Sequence, residues 1–212
     1  MNLPLRKQFL KTEPRKDWSG RSRFLPHSAF TTQSDLEIWR SFKNNDKAAF
    51  IHIYTSYFHV LYNYGHKMCQ DEELIKDCIH DVFAQINESK SRLSDVANIK
   101  FYLLKSFRTR FLLYQKRSVR FVKDSRMTDE NHFDFSLSVE QKIINAQLDS
   151  EKISRLNRAI KQLPVRQREA IYYFFYEELS VDDIKDLMHV SNRRTVQNLI
   201  YRAIASLKDI LV

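Results

Sequence analysis

Two glycines in 212 residues, Gly20 and Gly65, leave this chain little provision for the tight turns that a β-fold needs. Beyond residue 33, apolar residues recur at i, i+3 and i+4, the period of a helix with one buried face. At 43% hydrophobic residues the chain can bury real cores. The expectation is an all-α protein of two small helical domains joined by a flexible linker. No alternating strand pattern and no Gly-rich phosphate loop is found, which speaks against a βαβ catalytic core.

The clearest periodic stretch is Ser180 to Leu207. Ser180 precedes Asp183 by three residues, a capping-box start. Val181, Ile184, Leu187 and Met188 share one face, and His189, Val190 and Ser191 form a turn. Val196, Leu199, Ile200, Ala203, Ile204 and Leu207 then line a second helix. Arg194, Asn198, Tyr201 and Ala205 fall opposite, with Gln197 and Arg202 on the flanks. A merely solvated face usually mixes both signs of charge, but no acid occurs between Ser191 and Lys208. A helix apolar behind, with Arg, Gln, Asn and Tyr in front, suits a DNA major groove.

A formal net charge of +9 fits an anionic partner such as nucleic acid. The charge is uneven: residues 1–33, 100–126 and 151–212 are basic, while 34–99 and 127–150 are acidic. Basic zones separated by an acidic spacer look like two contacts on one polyanion. No apolar run reaches membrane-spanning length and no secretory leader is evident, so neither stable membrane insertion nor export is expected. Cys69 and Cys78 form no C-x-x-C pair, which fits a reducing, cytoplasmic compartment without a zinc site. His52, His59 and His66 recur every seven residues, whereas helical metal ligands prefer a spacing of four. No metal, cofactor or catalytic residue is expected.

In chain order, residues 1–33 read as a disordered basic arm. Helices start at Ser34 and after Asp46; the second carries an aromatic stripe of Phe50, Ile51, Tyr54, Phe58, Leu61 and Tyr62, read as core. Residues 71–87 place Ile75, Cys78, Ile79, Val82, Phe83 and Ile86 on one face and Glu73, Asp77, His80, Asp81 and Ala84 on the other. An acidic face in a basic protein points to a protein partner. A polar loop, 88–98, leads to a helix capped by Asn98. In it Lys100, Lys105, Arg108, Arg110, Lys116, Arg117 and Arg120 interleave with Phe101, Tyr102, Phe107, Phe111 and Tyr114. Cations with aromatics suit unpaired nucleic acid. Residues 118–150 read as a linker. Helix resumes near Val139, Pro164 separates two helices, and Ala170, Ile171, Phe174 and Phe175 are expected to point inward.

Asp81-Val82-Phe83-Ala84, LPVRQRE at 163–169 and NLIYRAIASL at 198–207 occur in an order that resembles the sigma-70 family, in particular its small extracytoplasmic-function members. The resemblance implies a region 2 helical domain over 34–117, the linker 118–150 and a region 4 helix-turn-helix domain over 151–212. It implies a non-enzymatic subunit that binds bacterial core RNA polymerase and promoter DNA. Asp77, His80, Asp81, Ala84 and Gln85 would dock on the β′ clamp helices, and the second domain on the β flap. Arg92, Asn98, Lys100, Phe101, Tyr102, Lys105, Arg108, Arg110, Lys116 and Arg117 would bind and melt the −10 element. Asn192, Arg193, Arg194, Gln197, Asn198, Tyr201 and Arg202 would read the −35 element. The resemblance also implies an anti-sigma factor as partner.

The chain departs from the family pattern at Glu178 and His189, where Gly is common, at Thr109, where Asn is common, and at SNRRTV, one residue longer than usual before Thr-Val. A stand-alone helix-turn-helix regulator would explain 180–207 but neither the acidic helix nor the basic aromatic one. A recombinase-like DNA enzyme would need the βαβ core that the pattern lacks.

Overall fold

The computed structural model describes residues 30, 32–121, 133–135 and 150–211. The chain divides into two units, Met1–Thr32 and Gln33–Val212, and every described helix lies in the second. The basic arm therefore falls almost wholly outside the described residues, as does most of the segment read as a linker. The described residues form an all-α protein without a strand.

Four helices make the N-terminal half: α1 Asp35–Lys43, α2 Lys47–Met68, α3 Glu72–Ser89 and α4 Ile99–Phe121. Their starts are local chemistry. Ser34 and Glu37 form a reciprocal capping box, in which Glu37 Oε2 accepts from Ser34 N–H at 2.8 Å. Asp46 accepts from Ala48 N–H at 2.8 Å, and Asp71 from Leu74 N–H at 3.1 Å. Helix α4 has two caps: Asn98 accepts from Phe101 N–H at 2.9 Å, and Asp35 of α1 from Ile99 N–H at 2.8 Å. The loop before it is strapped to α1. Trp39 Nε1 donates to Ser94 O at 2.9 Å, and Arg40 and Lys43 both reach Asp95 at 2.8 Å.

The core of this half is Trp39, Phe42, Ile53, Leu61, Ile75, Ile79, Phe83, Leu103, Phe107 and Phe111, all buried. On α3 the expected stripe is the buried one, from Ile75 to Ile86. On α2 the expectation fails in part. Ile51 is 54% exposed, and Tyr54, Phe58 and Tyr62 are only partly covered. The buried line is instead Ala49, Ile53, Leu61, Tyr64, Gly65 and Met68. The reason is close approach. A Cβ at Gly65 would lie 2.6 Å from Ile75 Cγ2 and 3.1 Å from Phe107 Cζ, so α3 and α4 pack directly on the glycine backbone.

The C-terminal half contains α5 Ser150–Gln162, α6 Val165–Ile171, a π turn Tyr172–Tyr176, α7 Val181–Leu187 and α8 Arg193–Leu211. Pro164 separates α5 from α6, as its missing N–H dictates. The π turn overturns the reading of Phe174 and Phe175 as inward. One wider turn rotates the following side chains. Tyr172 and Tyr173 are buried, while Phe174 is 37% and Phe175 60% exposed.

The two halves pack against each other within the one unit. Tyr64 and Tyr173 hydroxyls bond at 2.6 Å. Phe133 and Phe135 are buried there, Phe133 with its ring 6.3 Å from Tyr64 and 5.2 Å from Tyr172. Asp134 N–H donates to Lys67 O at 2.7 Å, which fixes this short segment to α2.

Candidate nucleic-acid interface and docking face

The helix-turn-helix follows the expected plan. Asp183 N–H donates to Ser180 Oγ at 3.1 Å and Ser180 N–H to Asp183 Oδ2 at 3.4 Å, a complete capping box. Ile184, Leu187 and Met188 are buried against Val196, Ile200 and Ala203. His189 takes φ 51° in the turn. Asn192 begins α8: its Oδ1 accepts from Thr195 N–H at 2.9 Å and Thr195 Oγ1–H at 3.0 Å. Its oxygen is thus occupied as a cap. Arg193 lies 3.2 Å from Asp182. Arg194, Gln197, Asn198, Tyr201 and Arg202 are all exposed, and Tyr201 at 74% is the most exposed large apolar side chain described. Within SNRRTV the start of α8 is set by the Asn192 cap. Arg193 leans on α7 and Arg194 leads the open face.

The structure does not bring the residues expected at the −10 element together in one place. Arg92 and Asn98 are exposed at the loop, and Lys116 is exposed on α4. The side chain of Arg117 lies outside the described residues. Phe101 sits beneath Lys105, whose Nζ is 5.6 Å from the ring centroid. Tyr102 packs edge-on against Trp39 at 5.0 Å. Phe107 and Phe111 are core, so neither can stack on a base. Lys100, Lys105 and Arg108 face acids of the other half. Lys100 Nζ lies 2.8 Å from Glu177 Oε2 and Lys105 Nζ 3.8 Å from Asp186 Oδ2. Arg108 pairs with Glu169, and its side chain is 12% exposed. Burial opposes the Arg108 charge, but the Tyr64, Tyr173 and Glu169 oxygens around it more than compensate, so its pKa is raised. In this arrangement Arg108 is not a DNA-contacting residue.

The face of α3 on which docking is expected is partly engaged within the protein. Asp77 and Gln85 are exposed; His80, Asp81 and Ala84 are half-buried. Asp81 Oδ2 accepts from Tyr114 O–H at 2.5 Å, which with burial pushes the Tyr114 phenol up to about 12. Gln85 Oε1 accepts from Arg110. Both bonds fix the face to α4. Among the described residues no group of His, Cys, Asp and Glu could hold a metal ion, and no helix is long and apolar enough to cross a membrane.

The family model described as "Sigma-70, region 4" matches residues 153–207. That stretch is similar to sigma-70 region 4. Among solved structures, the chain is similar to CnrH in complex with the cytosolic domain of CnrY. The identity is 14%, the TM-score 0.52, and the match covers 84% of this chain and 96% of that one. It is likewise similar to the sigma factor RpoE in complex with the anti-sigma factor NepR from Bartonella quintana. There the identity is 20%, the TM-score 0.52, and the match covers 76% of this chain and 96% of that one. These likenesses extend the shared fold beyond region 4. No curated protein sequence matches the chain. The resemblance read from the sequence stands.

The C-terminal half also holds residues that sequence reasoning passed over. Glu169, in the LPVRQRE stretch, accepts from Arg108 and from Tyr173 O–H at 3.1 Å. Glu177 Oε1 accepts from Tyr172 O–H at 2.6 Å. Both acids are buried, at 4% and 6% exposure. In the sequence they look like ordinary solvent-facing acids of an amphipathic helix. Their cationic partners, Arg108 and Lys100, lie 61 and 77 residues away in sequence, so no local pattern marks them.

Proposed function

We propose that the chain is a promoter-recognition subunit of bacterial RNA polymerase, without catalysis of its own. The observation that carries this reading is region 4 itself, whose recognition helix presents Arg194, Gln197, Asn198, Tyr201 and Arg202 on an exposed face with no acid among them. That face suits base edges and phosphates of a −35 element. Helix α8 contributes the readers; Asn192 and Arg193 shape its start.

The N-terminal half supplies the second contact. Arg92 and Asn98 lie in the loop 88–98 and the ring of Phe101 follows it in the first turn of α4, where an unstacked −10 base would be held; Lys116, exposed farther along α4, would meet a phosphate. Asp77, His80, Asp81, Ala84 and Gln85 form the face for the β′ clamp helices, and region 4 docks on the β flap. The likeness to RpoE, solved with an anti-sigma factor, supports an anti-sigma partner for this chain too.

Run-off transcription with core polymerase over a promoter library tests the reading. Initiation from a two-element promoter is expected; tight duplex binding with no association with core would defeat it. At the identified promoter, Asn198→Ala or Arg194→Ala is expected to cost about 1–3 kcal/mol of discrimination, measured by competition between cognate and altered −35 sequences. An equal loss on every sequence would reassign that residue to phosphate contact.

A further inference from the structure

Between the short 3-10 turn Lys90–Arg92 and the start of α4 the chain has no regular structure, yet helix α1 ties it down. The Trp39 indole is fully buried, and its Nε1 donates to Ser94 O at 2.9 Å. Asp95 accepts from Arg40 Nε and from Lys43 Nζ, both at 2.8 Å. Asp35 Oδ2 accepts from Ile99 N–H at 2.8 Å, where the loop passes into α4. Trp39 also packs edge-on against Tyr102 of α4, with ring centroids 5.0 Å apart. The side chains of Arg92, Ser94, Ala97 and Asn98 stay exposed. The loop backbone is therefore fixed while its side chains remain free to meet a ligand.

We propose that α1 is a brace that holds loop 93–98 in its strand-receiving shape before DNA arrives, with Trp39, Arg40, Lys43 and Asp95 as positioning residues. That a −10 strand is what the loop receives rests on the sigma reading; the brace does not. A buried indole N–H that loses its partner is left unsatisfied, so the loop cannot lift at Ser94 without a penalty. A loop ordered only on binding weakens that binding by the fraction of time it spends in the right shape, and a braced loop avoids the loss. Asp95 is the telling residue. Hydrogen bonds from Lys43 and Arg40 hold its carboxyl below the ordinary range, so it is charged. A carboxylate beside a phosphate path repels the strand, so the loop gains nothing electrostatically from having one. Its use is mechanical: one acid joins the loop to two cations of α1. An exposed ion pair contributes little alone, but this one sits next to the buried indole bond and keeps the loop in reach of it.

Asp95→Asn separates the two roles by sign. Removing an acid tightens strand binding if charge alone matters, whereas loosening the brace weakens strand capture. Trp39→Phe removes the indole N–H, keeps an aromatic ring and leaves net charge unchanged. In the full chain, hydrogen exchange read by mass spectrometry is expected to quicken in peptides covering 93–99 for both variants, with α2 and α3 unchanged. The second measurement uses core polymerase and the promoter found by run-off transcription. Closed-complex affinity is expected to hold, while −10 opening, read as permanganate reactivity of its thymines, slows. If the loosened loop keeps its receiving shape about a tenth of the time, opening slows about tenfold. Faster opening by Asp95→Asn overturns the proposal, as does unchanged exchange over 93–99 in both variants. So does faster exchange with an unchanged opening rate, since the brace would then serve no strand. Circular dichroism establishes folding; if Trp39→Phe does not fold, Asp95→Asn decides. No initiation by the unmodified protein at any promoter would remove the sigma reading, and exchange in the loop would then decide the brace by itself.

Discussion

Glu178 and His189 take φ 55° and 51°, the left-handed conformation that a side chain with a Cβ adopts only against a steric cost of about 1–2 kcal/mol. Both stand where the sequence pattern leads one to expect Gly. The turns are therefore of the usual shape, made from less suitable residues. Glu178→Gly is expected to raise unfolding stability by about 1 kcal/mol in urea titration, since the removed strain exceeds the added chain entropy. A loss of stability would mean that the Glu178 side chain contributes more than the strain costs. Gly65 is the opposite case. A Cβ there meets the β-branched Ile75 at 2.6 Å, and that side chain cannot swing aside. Gly65→Ala is expected to destabilise by about 1–3 kcal/mol through overpacking between α2 and α3, read in the same titration.

At the scale of elements, boundaries were legible wherever a side chain satisfies a backbone group nearby. The Ser180 capping box could be read because cap and partner are three residues apart. Ser180→Ala is expected to cost about 1 kcal/mol in thermal or urea unfolding, and to do so while the buried face of Ile184 and Leu187 stays intact. The stripe on α3 was equally legible because it is apolar against a charged background. On α2 apolar and aromatic residues fall on several faces of the helix, so periodicity alone does not single out the buried line. The deciding feature was Gly65, whose value lies in what packs on it. The π turn at Tyr172–Tyr176 was illegible for a related reason: YYFFY carries no polar residue to mark which rings face out. Of the candidate site, the exposure of Arg194, Gln197, Asn198, Tyr201 and Arg202 was legible, since it follows from the helix period, whereas the capping by Asn192 and the pairing of Arg193 with Asp182 were not. The α4 face was not, because whether a lysine meets a phosphate or a glutamate is decided outside the helix.

At the scale of the described molecule, a cluster rich in phenol lies where the two halves meet. Tyr64 and Tyr173 are fully buried and hydrogen-bonded to each other, and Tyr172 meets Tyr173 edge-on with ring centroids 5.7 Å apart and stacks on Tyr64 at 6.4 Å. Their partners lie 109 residues apart in sequence, which is why no local reading could assemble the cluster. Burial raises the pKa of all three, and the neighbouring Glu169 and Glu177 carboxylates reinforce it. The consequence for stability has a definite sign. A phenol whose folded pKa is raised stays neutral in the native state but ionises near its ordinary value of 10 once unfolded. Its contribution is complete below about pH 10 and falls as pH rises above it. The protein is therefore expected to lose stability steeply in that range, with the buried phenols resisting ionisation until the fold gives way. Phenolate absorbance and helical circular dichroism measured along one alkaline titration check this. A late rise in phenolate that coincides with loss of helix is the expected result. Complete ionisation of the tyrosines with the helices intact would mean that solvent already reaches the cluster, and that the two halves are not closed over it.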